Sequence, residues 1–156
     1  MRFNAKGPAR PGGEAHQLRD ALASAGVELH IIDVEVGTSI TETVFTTMEG
    51  CDAFIAFGTS DYGQATGNPA ATDQEVAYWK NTIQKADKQR PLVLLRMIPF
   101  EAAFEHLTAR VLFGTNALAL TWLLGAPMPP GTVETIMKAL DFEHATPGSP
   151  LASVLL

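Results

Sequence analysis

The sequence predicts an α/β architecture, a parallel sheet with helices packed on both faces. Three observations lead there. Strand-like and helix-like patterns alternate about five times along the chain, the order that builds parallel sheets through helical crossovers. Two strand segments, CDAFIAFG and RPLVLLRMI, are apolar almost without interruption, as strands covered on both faces are. At 156 residues, with 46% hydrophobic and 18% charged residues, the chain has the size of one domain and can bury a substantial core.

Taken in order, residues 1–4 read as a short first strand and AKGPARPGG as a loop, since proline and glycine interrupt regular structure. In residues 14–25, Leu18, Ala21, Leu22 and Ala25 fall at helical spacing. Gly26 stands where a helix ends on glycine. VELHIIDV is the second strand, with His30 packed inside it. EVGTSITETVFTTMEG begins as a loop and becomes a helix capped by Thr38 or Ser39. Glu42 lies three residues beyond Ser39, at capping-box spacing. Ile40, Val44 and Met48 form its apolar stripe, with Phe45 alongside, and Gly50 ends it.

CDAFIAFG is the third strand. A long polar loop, TSDYGQATGNPAA, then leads into a helix reaching about residue 88. RPLVLLRMI is the fourth strand, PFEAAFEHL a short helix with Pro99 near its start, and TNALAL the fifth strand. TWLLGAPMPPG is a loop, and TVETIMKALDF a last helix capped by Thr132 with Val133, Ile136, Met137 and Leu140 inward. Residues 1–141 thus form one domain, and residues 142–156 a tail expected to be loosely ordered.

Composition narrows the function. A net charge of −6 argues against a nucleic-acid backbone as partner, because phosphate binding needs a basic face. The lone Cys51 precludes an intrachain disulfide and reads as a small buried hydrophobe. No apolar stretch approaches the ~20 residues that span a bilayer, and MRFNAKGPARPGG lacks a signal core. A cytoplasmic protein without a membrane partner is expected.

In parallel α/β sheets ligands bind beyond the carboxyl ends of the strands. The chain carries no GxGxxG, GxxxxGK[ST] or GxSxG motif. His16, His30, His106 and His144 lack metal-ligand spacing, so no metal is expected. Asp33 ends the second strand, as a loop cap or a site residue. Ser60, Asp61 and Tyr62 open the polar loop, as turn formers or site residues. Asp73 suits the first turn of a helix. Spacing alone favours a solvated position for Glu75, but Trp79 shares its helix face and, if buried, draws it toward the sheet edge. Trp122 is either a core aromatic or a stacking surface for a ring.

Read together, these segments resemble the Toll/interleukin-1 receptor (TIR) domain. Asp33, Gly37 and Ile40 match its BB loop, and Thr59, Ser60 and Tyr62 match the Ser/Thr-plus-aromatic end of its third strand. Thr72 and Glu75 match the small residue, two spacers and glutamate that open its next helix, and TWLLGAPMPPG its tryptophan segment. The likeness covers roughly residues 1–141, and the long YGQATGNPAATDQE loop resembles microbial and algal members more than animal receptors.

The resemblance implies a flavodoxin-like three-layer sandwich with a five-stranded parallel sheet. It implies NAD⁺ glycohydrolase activity, giving nicotinamide and ADP-ribose or a cyclic ADP-ribose, with Glu75 as catalytic carboxylate. NAD⁺ is then a substrate, with no permanently bound cofactor. Phe3, Asn4, Asp33, Gly37, Ser39, Ser60, Tyr62, Thr72 and Trp79 are the implied substrate-binding positions. The family's basic residue after the first strand is missing from FNAKGPAR, so Lys6, Arg10 or another subunit would meet the pyrophosphate. Homo-oligomers through BB-loop contacts at Gly37 and Ile40 are also implied. The alternative is a non-catalytic TIR scaffold that signals by homotypic assembly; a nucleoside-processing or receiver-like α/β protein is a third reading.

Overall fold

The computed structural model describes residues 7–31, 40–62, 75, 77–86, 90–114, 119–140 and 151–155. After a loop, α1 (Glu14–Ser24) buries Ala15, Leu18 and Leu22. It stops at Gly26, whose φ of +86° is a left-handed conformation that glycine adopts without strain. β1 (Val27–Ile31) leads toward α2 (Ile40–Glu49), which buries Val44 and Met48, and then β2 (Ala53–Gly58). Glu75, Ala77 and Tyr78 are helical. A π-helical turn, Trp79–Ile83, and an α-helical turn, Gln84–Ala86, follow as α3. β3 (Leu92–Arg96), α4 (Leu107–Phe113), β4 (Ala119–Thr121), α5 (Thr132–Leu140) and β5 (Leu151–Leu155) complete the order.

The strands form one sheet in the order β1-β5-β2-β3-β4, and every neighbouring pair is parallel. The α/β class with a parallel sheet and helices on both faces is therefore as the sequence predicts. The strands themselves are not the predicted set. Residues 1–4 lie outside the described residues. Leu151–Leu155, expected within a loose tail, is instead a strand between β1 and β2. Its sequence, LASVL, is the short apolar run that an interior parallel strand requires.

Side chains on β2 and β3 alternate between two cores, as a strand's period of two demands. Phe54, Ala56, Leu92 and Leu94 join Val44 and Met48 of α2, Trp79 and Ile83 of α3, and Ala109 and Leu112 of α4. Ala53, Ile55, Phe57, Val93 and Leu95 face the other way, onto Leu18 and Leu22 of α1 and Ile136 and Leu140 of α5. Right-handed crossovers explain the division. The path β1 to β2 to β3 to β4 moves one way across the sheet and places α2, α3 and α4 on one face. The return from β4 to β5 reverses direction and places α5 on the other, beside α1.

The helix expected over PFEAAFEHL does not form: Pro99 sits in a turn region, and the helix of this stretch, α4, is Leu107–Phe113. The Arg96 side chain explains this. Its Nη2 donates to the carbonyls of Pro99 (3.0 Å) and Ala102 and, more weakly, to that of Phe100 (3.4 Å), holding residues 97–103 in turns.

Candidate functional site

The carboxyl ends of β2, β3 and β4 are knitted together by backbone bonds. Met97 N–H donates to the Gly58 carbonyl (3.0 Å), Trp122 N–H to that of Arg96 (2.9 Å), and Leu124 N–H to that of Met97 (3.1 Å). Immediately beyond β2 the chain turns. Tyr62 N–H bonds to the Thr59 carbonyl at 3.1 Å, and the Thr59 hydroxyl donates to Asp61 at 2.5 Å. The turn leaves Ser60 and Asp61 exposed and carries Tyr62 inward to 3% exposure.

Tyr62 meets the edge of the Phe113 ring, with centroids 5.9 Å apart and planes at 85°, a favourable aromatic geometry. Phe113 stacks on Phe104 at 4.5 Å, and the Arg96 guanidinium lies 4.7 Å over the Phe104 ring. Gly58 permits this arrangement, because a Cβ there would come within 2.2 Å of Phe113 Cζ. Register places Gly58 opposite Arg96. Arg96 alternates onto the same face as Leu92 and Leu94, which is the face of Tyr62 and Trp79.

Glu75 is 1% exposed, so it is a buried carboxylate and not the solvated residue that spacing favours. Four residues on, Trp79 is fully buried and packs on Phe54, with centroids 5.5 Å apart. The Glu75 charge reaches Tyr62. Burial, and then the negative charge of Glu75, push the Tyr62 phenol well above its ordinary value, since each disfavours the phenolate. Tyr62 is thus protonated across any working pH. Its hydroxyl has no hydrogen-bond partner among the described residues, and neither has the Trp79 indole nitrogen.

A second buried carboxylate, Glu14, is also 1% exposed. Arg10 grips it through two bonds of 2.7 and 3.0 Å, and Gly125 N–H donates to it at 2.6 Å. Burial alone would raise the Glu14 pKa. The Arg10 hydrogen bonds, backbone donors including Gly125, and the Arg10 charge together outweigh it and hold the group below the usual carboxylate range. This pairing changes one expectation: Arg10 is engaged with Glu14 and is not a ready pyrophosphate contact.

Among the other expected positions, Phe3, Asn4, Lys6, Asp33, Gly37, Ser39 and Thr72 lie outside the described residues, and of Ile40 only the helical backbone is described. Trp122 is fully buried on the opposite face, its indole N–H bonded to the Ala126 carbonyl at 2.9 Å. Cys51 is buried, and desolvation, with Asp52 adding to it, pushes its thiol up to about 12. Sequence reasoning missed Arg96, although a lone cation closing an apolar strand was a usable signal, and missed Phe113, whose approach to Gly58 no local pattern reveals.

A depression of about 230 Å³ lined by Glu49, Thr82, Ile83, Ala86 and Arg90 lies at the amino-terminal edge of the sheet, away from Glu75 and Tyr62. Arg90 there donates to the carbonyls of Glu49 (2.9 Å) and Cys51 (3.1 Å), tying α2 to β2. Among the described residues no three His, Cys, Asp or Glu side chains converge as metal ligands, and no helix is long and apolar enough to cross a membrane. Comparison with known proteins gives no match: neither a protein-family model, nor a curated protein, nor a solved structure is similar to the chain.

Proposed function

We propose that the protein is a TIR-type NAD⁺ glycohydrolase with Glu75 as its catalytic carboxylate. The observation that carries this reading is the burial of Glu75 within electrostatic reach of Tyr62, which follows the carboxyl end of β2. The chemistry suits a single carboxylate. When the nicotinamide–ribose bond breaks, its electron pair moves to the pyridinium nitrogen and nicotinamide leaves neutral. Departure then needs no general acid. Positive charge develops on the ribose, and a carboxylate in a site of low dielectric stabilises that charge far better than water does. Water completing the reaction gives ADP-ribose; an adenine nitrogen of the same molecule gives a cyclic product. Arg96, on the same sheet face, is committed to the carbonyls of Pro99, Phe100 and Ala102 much as Arg10 is to Glu14, so the pyrophosphate contact is proposed for Lys6 or another subunit. At 1% exposure Glu75 meets no bulk water, so substrate reaches it only after the residues covering it part.

The spatial order also supports a flavodoxin-like assignment. That fold runs 2-1-3-4-5, and the order β1-β5-β2-β3-β4 reproduces it if Leu151–Leu155 takes the place of the first strand.

The test is nicotinamide release from NAD⁺ at high protein concentration, wild type against Glu75→Gln. Release by the wild type and loss in the variant is the expected result; equal background from both overturns the reading. A non-catalytic scaffold keeps one specific support, the outward apolar side chains Leu107 and Val111, at 67% and 59% exposure one turn apart on α4. On that reading, homotypic assembly is lost on Leu107→Asp and survives Glu75→Gln.

A further inference from the structure

We propose that Tyr62 positions the substrate by donating its phenolic proton to a ligand hydroxyl whose own proton is accepted by Glu75. The inference rests on the glycohydrolase reading and names the ligand group that the site selects. Tyrosine is an expensive choice at this position. The ring alone accounts for its packing against Phe113, and phenylalanine would supply the same ring. The hydroxyl is carried into the core, at 3% exposure for the residue, with no hydrogen-bond partner among the described residues. Buried polar groups are almost always bonded, so an unpartnered one calls for an explanation.

The explanation is the Glu75 carboxylate, whose charge reaches the phenol. Glu75 and Trp79 share a helix face, and Trp79 and Tyr62 belong to one core. An ionised carboxylate only accepts hydrogen bonds, and a phenol kept protonated has a proton to donate. An ammonium would serve Glu75 and leave the phenol unsatisfied. A phosphate or carboxylate would accept from Tyr62 and be repelled by Glu75. A hydroxyl donates to one and accepts from the other, and a ribose offers two on adjacent carbons. Tyr62 stays a donor because burial and the Glu75 charge both oppose its ionisation.

The experiment compares wild type and Tyr62→Phe on NAD⁺ and on two analogues lacking the 2′- or the 3′-hydroxyl of the nicotinamide ribose. It reads kcat/KM for nicotinamide release, Kd by calorimetry, and Tm. On NAD⁺ the variant is expected to fall roughly tenfold in kcat/KM, the effect of one lost hydrogen bond, with Tm unchanged or raised. On one analogue, the one lacking the bonded hydroxyl, the two proteins become equal. An equal fall on all three substrates assigns the phenol to structure or to a bridging water and overturns the proposal, as does wild-type behaviour of the variant on NAD⁺. A wild type that neither binds nor cleaves NAD⁺ overturns the glycohydrolase reading itself, and this inference with it.

Discussion

Gly58→Ala tests how the site's aromatic framework is held. Gly58 closes the regular parallel pairing of β2 with β3 and is not one of the positive-φ glycines, so alanine meets no conformational strain there. The cost is steric. The new Cβ would lie 2.2 Å from Phe113 Cζ and 2.8 Å from Cε1 and Cε2, and reaching ordinary contact at 3.4 Å requires a relative shift of about 1.2 Å. The Phe113 ring is not free to make it, since Phe104 stacks on it at 4.5 Å and Tyr62 meets it edge-on at 5.9 Å. Overpacking of this kind costs ~1–3 kcal/mol, or several degrees of Tm for a chain of this length at roughly 2–4 °C per kcal/mol.

A double-mutant cycle isolates the cause. Phe113→Leu removes the ring atoms in question, so Gly58→Ala in that background should cost about 1 kcal/mol less than in the wild type, the difference read from urea midpoints. The same variant should lower activity beyond its effect on folding, because the displaced ring abuts Tyr62. If Gly58→Ala costs as much with Leu at position 113 as with Phe, the clash with the ring is not what glycine avoids, and the account of the framework fails.

Three further predictions concern charge and reactivity. Glu14 has a folded pKa below its unfolded value, so its ion pair contributes stability above the unfolded pKa of about 4.3. That stability is lost as pH falls through the folded value; Glu14→Gln should therefore be less stable at pH 7 and flatter in its acid limb, and urea midpoints that run parallel from pH 7 to pH 3 would refute the pairing. With its thiol pushed up to about 12, Cys51 is thiolate in roughly one molecule in 10⁴ at pH 8. Iodoacetamide should leave it unmodified in the native protein and label it in urea, whereas rapid native labelling would refute its burial. Arg96→Gln should free the carbonyls of Pro99, Phe100 and Ala102 and cost about 1–3 kcal/mol, and an unchanged urea midpoint would refute its role in holding those turns.

What could be read from the sequence was whatever local pattern decides. β2 and β3 were legible because a strand covered on both faces must be apolar throughout, and α1 because Leu18 and Leu22 recur one turn apart before Gly26. The errors come from particular side-chain and long-range contacts that override local preference. Pro99 is a good helix start, but the Arg96 side chain, only three to six residues upstream, takes the carbonyls of the following turns, a local bond that helix propensity does not register. Leu151–Leu155 follows a Pro/Gly/Ser stretch that reads as a tail, and its place between β1 and β2 depends on partners 100 and 124 residues away. The π-helical turn at Trp79–Ile83 has no sequence signature to read.

The two buried glutamates show why position in a motif was needed to single out Glu75, and why motif alone does not assign a role. Both are 1% exposed and both are helical. Glu14 is matched on every side: a bidentate arginine four residues earlier and a backbone N–H 111 residues later. A carboxylate held by that many donors is stabilised in its charged form and serves to clamp the loop before α1 to the loop after β4. The Glu75 charge reaches a tyrosine whose protonated hydroxyl bonds to none of the described residues. Folding gains nothing from that hydroxyl, since phenylalanine would pack as well. A carboxylate whose charge reaches a donor kept in reserve is an arrangement that a ligand completes, and the unpartnered Tyr62 hydroxyl, more than burial itself, is the reason to look for chemistry at Glu75.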